Sequence, residues 1–86
     1  MIPKISECMR PLLQYLSDKE IRSAEECREH ISKVFNLSND DKALLKSKDR
    51  VGWAKWNLEQ EGLLKTVSRG RYTITDKGIQ YLNMNL

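Results

Sequence analysis

Apolar residues in the first third of the chain recur every three or four positions, a spacing that predicts helices rather than strands. Ile5, Cys8, Met9, Leu12, Leu13 and Leu16 form one stripe of a helix running from about Pro3 to Ser17. Pro3 suits a first helical turn. Pro11 falls inside the pattern, removes one backbone hydrogen bond and predicts a kink or break near Cys8. A second stripe, Ala24, Cys27, Ile31, Val34 and Phe35, follows Ser23-Ala24-Glu25-Glu26. The S-x-x-E spacing there predicts a capping box at the helix start and leaves Arg28, Glu29 and Lys33 to water. Ser38-Asn39-Asp40-Asp41 repeats the capping logic for a short helix that meets the core through Ala43, Leu44 and Leu45. Lys46-Ser47-Lys48 then reads as an exposed connection.

Asp49 opens the third main helix, Arg50 to Glu61, and Gly62 closes it at the position favoured for a left-handed cap. From Leu63 to Val67 and from Arg71 to Thr75 the pattern changes to short β-prone runs, joined by Ser68-Arg69-Gly70 as a hairpin. Thr75 then caps a final helix, Asp76 to about Asn83, which presents Ile79 and Leu82 inward with Tyr81 flanking. Helix, helix, short helix, helix, hairpin, helix is the order of a winged helix-turn-helix: mainly α with a small β-hairpin, one domain over residues 1–86. The pattern contains no repeat and no linker.

Composition narrows the class. Eighty-six residues allow one core, and 40% hydrophobic with 31% charged residues is the balance of a globular domain rather than a disordered one. The apolar runs are far shorter than the roughly 20 residues that cross a bilayer. The N-terminal residues lack the apolar region of a secretory signal, so a cytoplasmic setting and no membrane partner are expected. Cys8 and Cys27 stand at helical positions outside any C-x-x-C pair and read as buried, reduced thiols. The net charge of +3 is unevenly divided. Residues 1–41 carry six Lys/Arg against eight Asp/Glu, whereas residues 42–86 carry nine against four. A polyanion partner is therefore expected for the second half.

At 100° per residue the third helix puts Val51, Ala54 and Leu58 on an inward face, with Lys55 at its margin. Arg50, Trp53, Trp56, Asn57 and Gln60 take the opposite arc, where Trp53 is expected to pack against the first helix or the wing and Trp56 to stay near solvent. Arg50, Asn57 and Gln60 are side chains that pair with base edges, and Gly52 lets a helix backbone approach a ligand closely. Lys65, Arg69 and Arg71 on the hairpin, with Lys46 and Lys48 before the helix, suit phosphate contacts, though the same residues also fit an ordinary solvated surface. These features point to double-stranded DNA, with Arg50, Trp56, Asn57 and Gln60 toward a groove and Lys48, Lys65, Arg69 and Arg71 toward phosphates. A second reading makes Trp53, Trp56 and the Tyr72 hairpin an aromatic patch for a protein partner or a homodimer.

Catalytic chemistry is poorly supported. His30 is the single histidine and has no nucleophile motif beside it. Asp40-Asp41-Lys42 formally matches the end of a metal-nuclease motif, but it starts a predicted helix and reads as a cap. The four glycines are widely separated, so no phosphate loop forms, and no cofactor or metal is expected.

Two stretches together resemble the N-terminal domain of the Mrr family of modification-dependent restriction endonucleases. One is Ile2-Pro3-Lys4 through Pro11-Leu12-Leu13; the other is Arg50-Val51-Gly52-Trp53-Ala54 continuing to Leu58 and Gly62-Leu63-Leu64. Arg69-Gly70-Arg71-Tyr72 and Thr75-Asp76-Lys77-Gly78 are shared by many winged helices, whereas Arg50-Val51-Gly52-Trp53-Ala54 is more particular to this family. Trp56-Asn57 departs from it, standing where a small residue followed by an aromatic is more usual. The resemblance implies a winged-helix DNA-binding module that helps select modified, for example methylated, DNA, and a companion nuclease domain that this chain does not contain.

Overall fold

A computed structural model describes residues 2–84; Met1, Asn85 and Leu86, which the expected single domain also included, lie outside the described residues. The order is α1 (Ile5–Tyr15), β1 (Arg22–Ser23), α2 (Ala24–Val34), α3 (Asn39–Ser47), α4 (Arg50–Gln60), β2 (Leu64–Ser68), β3 (Arg71–Ile74) and α5 (Asp76–Met84). This is a mainly α, winged-helix-like fold.

Cys8, Leu12, Leu13 and Leu16 of α1 and its cap meet Cys27 and Ile31 of α2, Leu45 of α3, and Val51, Ala54 and Leu58 of α4 in one core. Leu63, Leu64 and Ile74 close it beneath the sheet. Helix α1 does not break at Pro11. The missing amide of Pro11 leaves the helix continuous because Leu12, Leu13 and Leu16 beyond it are fully buried and hold the last turns in place. Both thiols are free and buried, and burial pushes each up to about 11.

The capping residues act as their spacing implies. Ser23 Oγ accepts from the Glu26 amide at 3.1 Å while Glu26 Oε1 accepts from the Ser23 amide at 3.3 Å. Ser38 Oγ accepts from the Asp41 amide at 3.2 Å, and Thr75 Oγ1 accepts from the Gly78 amide at 3.0 Å. Gly62, at φ +77°, ends α4: its amide donates to the Glu59 carbonyl and the Leu63 amide to the Leu58 carbonyl, both at 2.9 Å. Asn36, at φ +50°, ends α2 with the same pair of bonds, to Lys33 and Ser32.

Several expectations need correction. Val34 is half exposed, because α2 ends there and no other element covers it. Of the apolar residues in α3 only Leu45 is buried; one short helix laid on the α2–α4 pair has room to bury one side chain, and Ala43 and Leu44 face out. Helix α3 continues through Ser47, shrinking the connection to Lys48 and Asp49. The hairpin is also not alone. Arg22 and Ser23 pair antiparallel with Tyr72 and Arg71, making a three-stranded sheet in the order β1-β3-β2. Two residues are too few to show an alternating pattern, so this strand is set only by its partner.

Candidate nucleic-acid interface

Helix α4 is held between α1 and the wing. Val51, Ala54 and Leu58 face the core, with α1 as the principal neighbour. On the other flank, Thr66 of β2 donates through Oγ1 to Glu59 Oε2 at 3.0 Å, and Glu59 Oε1 holds Lys55 Nζ at 2.6 Å. That ammonium also lies 4.8 Å from the centre of the Tyr72 ring. The chain Thr66–Glu59–Lys55–Tyr72 therefore ties both wing strands to α4 and fixes the angle between them. A cation–carboxylate bond on the surface is weak alone, but here it also has hydroxyl and ring partners.

The expected outer arc of α4 is divided by this packing. Trp56 and Gln60 are exposed at its centre, and Trp53, expected to pack against the first helix or the wing, is 52% exposed. The core beneath α4 is already filled by Val51, Ala54 and Leu58, which leaves no vacancy for an indole. Trp53 instead meets Trp56, itself 49% exposed, edge to face, with ring centroids 6.0 Å apart and planes at 72°. Arg50 and Asn57 stand off the centre and are half-buried; the Arg50 charge lies near the Cys8 thiol of α1, and its buried Nε makes no hydrogen bond.

Among the basic residues, Lys48 is exposed at the α3–α4 turn and Arg69 at the wing tip. In the strand register Leu64 faces Ile74, Lys65 faces Thr73 and Thr66 faces Tyr72, and the ladder then skips Val67 so that Ser68 faces Arg71. Because side chains alternate along a strand, Lys65 and Arg71 lie on the sheet face opposite the one that carries Thr66 and Tyr72 toward α4. The eight candidates thus form a helix surface of Trp56 and Gln60, a flank of Arg50 and Asn57, a turn at Lys48, and a wing with Lys65, Arg69 and Arg71.

The structure also gathers residues that sequence spacing did not join. A cleft of about 380 Å³ beside the first half of α4 is lined by Ala24, Arg28, Asp49, Gly52, Trp53, Lys55, Trp56 and Tyr72. Arg28 comes from α2, and no periodicity within α4 could have located it. Gly52 has a role other than close approach to a ligand: a Cβ there would lie 2.6 Å from Cγ of Asp49, so the space is filled by the chain's own carboxylate. Asp49, at φ +51°, makes no side-chain capping hydrogen bond although it precedes α4. Among the described residues no group of three or more His, Cys, Asp and Glu side chains could hold a metal ion. No described helix is long and apolar enough to cross a membrane.

The fold and this surface place the chain in the class of winged-helix-like modules. Residues 6–84 match the Mrr N-terminal domain, and the chain belongs to that family. It is similar to the type IV methyl-directed restriction enzyme EcoKMrr of Escherichia coli (strain K12), at 28% identity over 88 residues. That match covers 94% of this chain and spans 29% of the length of the relative. No solved structure matches the chain.

Proposed function

We propose that this chain is a non-catalytic module that binds double-stranded DNA and serves a restriction endonuclease as its target-recognition domain. The observation that carries this reading is the uncovered outer face of α4, Trp56 and Gln60, fixed beside a wing bearing exposed Lys65, Arg69 and Arg71. A helix face of this size suits the major groove, and the cations supply phosphate contacts that set register without reading sequence. Family membership supports the reading, as does the name of the relative, which describes methyl-directed restriction. Cleavage then belongs to a companion nuclease domain, and a cytoplasmic setting keeps the buried thiols reduced.

The test is fluorescence anisotropy of labelled duplexes, methylated and unmethylated, titrated with the chain at several salt concentrations. Four phosphate contacts from Lys48, Lys65, Arg69 and Arg71 predict a loss of about 100-fold in affinity between about 50 and about 200 mM salt. Arg69→Ala should weaken binding to every sequence and lower the salt slope by about one, whereas Asn57→Ala should change discrimination among sites. No binding even at low salt would defeat the reading. It would favour the second one, in which the half-exposed Trp53–Trp56 pair is a protein-binding or homodimer surface that sedimentation would detect as self-association.

A further inference from the structure

The wing carries more than phosphate contacts require. Lys65 and Arg71 lie on the sheet face away from α4, whereas Val67 and Arg69 belong to the end of the hairpin. The ladder skips Val67, and this bulge leaves an apolar side chain 46% exposed just before the turn. A valine has nothing to offer a phosphate. Arg69 is exposed at the turn and, among the described residues, makes neither a hydrogen bond nor an ion pair. A Cβ built on Gly70 would meet nothing within 4 Å, so the tip is open to an approaching surface. The tip is also held in place. The Ala24 amide at the start of α2 donates to the Gly70 carbonyl at 2.9 Å, and Thr66 is bonded to Glu59 of α4. An arginine and a valine are thus fixed relative to the outer face of α4.

We propose that the wing tip enters the minor groove next to the major groove occupied by α4, where Arg69 selects A·T-rich sequence; the inference rests on the DNA-binding reading above. Beside a helix in the major groove lies one phosphate backbone, and beyond it the minor groove. That groove is about 6 Å wide, too narrow for a β-ribbon but wide enough for single side chains. Its floor presents only acceptors at A·T pairs, adenine N3 and thymine O2, whereas guanine adds an N2 amine that opposes a guanidinium donor. A·T-rich tracts also narrow the groove and deepen its negative potential, which draws arginine in. Arginine suits this site better than lysine because a guanidinium is more weakly hydrated than an ammonium. The sugar C–H groups that wall the groove give Val67 an apolar contact. Arg69 therefore strengthens binding to every sequence by its charge and adds a preference among sequences from outside the major groove.

The experiment uses one long mixed-sequence duplex in three forms: unmodified, with hypoxanthine for guanine throughout, and with 2,6-diaminopurine for adenine throughout. The first replacement removes the minor-groove amine and the second adds one, while neither alters the hydrogen-bonding edge in the major groove. Anisotropy should show about fivefold tighter binding to the hypoxanthine duplex, and about fivefold weaker binding to the diaminopurine duplex, than to unmodified DNA. Arg69→Ala should bring the three affinities within about twofold of one another and lower the salt slope by about one. Arg69→Lys should keep the slope and still lose the preference. Lys65→Ala should weaken binding to all three duplexes alike. Equal binding of the unsubstituted chain to the three duplexes would overturn this assignment and leave Arg69 as a phosphate contact of a DNA-binding module. A preference that survives Arg69→Ala would also overturn it. Absence of binding to any duplex at low salt would overturn both readings. Each Arg69 variant changes an exposed turn residue, and an unchanged Tm shows that the fold is kept.

Discussion

Helices α1 and α4 are both 11 residues long and pack against each other across the core, yet they use their apolar residues differently. In α1 the buried residues Cys8, Leu12 and Leu13 lie on one side, and polar Ser6, Glu7, Arg10 and Gln14 face water. In α4 small or medium side chains, Val51, Ala54 and Leu58, fill the core, while the largest apolar side chains, Trp53 and Trp56, remain outside. The first helix is used up in folding. The second has apolar surface to spare, and surface that folding does not require is where a binding role is to be sought.

The sharpest break in that comparison is the contrast between the two faces of α4. Leu58→Ala should cost about 2–5 kcal/mol in urea unfolding, because it opens a cavity beneath α1. Trp56→Ala should cost about 1 kcal/mol or less, since its ring is half exposed and meets Trp53 edge to face, yet it should weaken DNA binding. Comparable stability losses for both would mean that the indole is structural.

Next in size is Gly78→Ala in α5. A Cβ there would lie 2.7 Å from Cγ1 of Ile74 and would also press on the Leu63 carbonyl, so α5 must lift from the sheet. We expect a loss of about 1–3 kcal/mol, seen as a lower Tm. Gly52→Ala offers the opposite outcome. The same substitution in α4 meets first the exposed Asp49 carboxylate, the end of a side chain that can turn away, and alanine favours helix by up to about 1 kcal/mol. Stability should be held or slightly raised, seen as an unchanged or higher Tm.

The smallest effect concerns a stack away from the cleft. The Tyr15 ring of α1 meets both His30, stacked with ring centroids 4.0 Å apart, and the Arg22 guanidinium, 4.6 Å from the ring centre. Burial, then the charges of Arg22 and Lys33, hold the His30 pKa below its ordinary 6.5. The unfolded chain therefore binds this proton at higher pH than the folded one. Stability from neutral His30 is fully present above 6.5 and declines as pH falls through that value toward the lower folded pKa. Thermal melts between about pH 7.5 and pH 5.5 should show a decline that His30→Phe, which keeps the stack, flattens.

Residue spacing made much of this architecture legible before any coordinates. The capping box at Ser23, the caps at Ser38 and Thr75, the left-handed Gly62 and the hairpin are local events, each written within a few residues. The buried face of α4 followed from its period. What remained hidden involved partners distant in sequence. Strand β1 exists because Tyr72 and Arg71 present an edge to Arg22 and Ser23. Val34 and Leu44 look like core residues by period, but only the packing of other elements decides whether anything covers them.

The candidate site divides in the same way. The amino-acid sequence by itself determined that α4 carries two tryptophans with Arg50, Asn57 and Gln60 and that the basic residues cluster in the second half, since composition and helical period need no tertiary partner. Only the tertiary structure decided that Trp53 stays outside, that Arg28 enters its cleft from α2, that Lys65 and Arg71 share the wing face away from α4, and that Asp49 lies over Gly52. Those outcomes depend on how elements far apart in the chain fill a shared volume, and a linear pattern does not contain that volume.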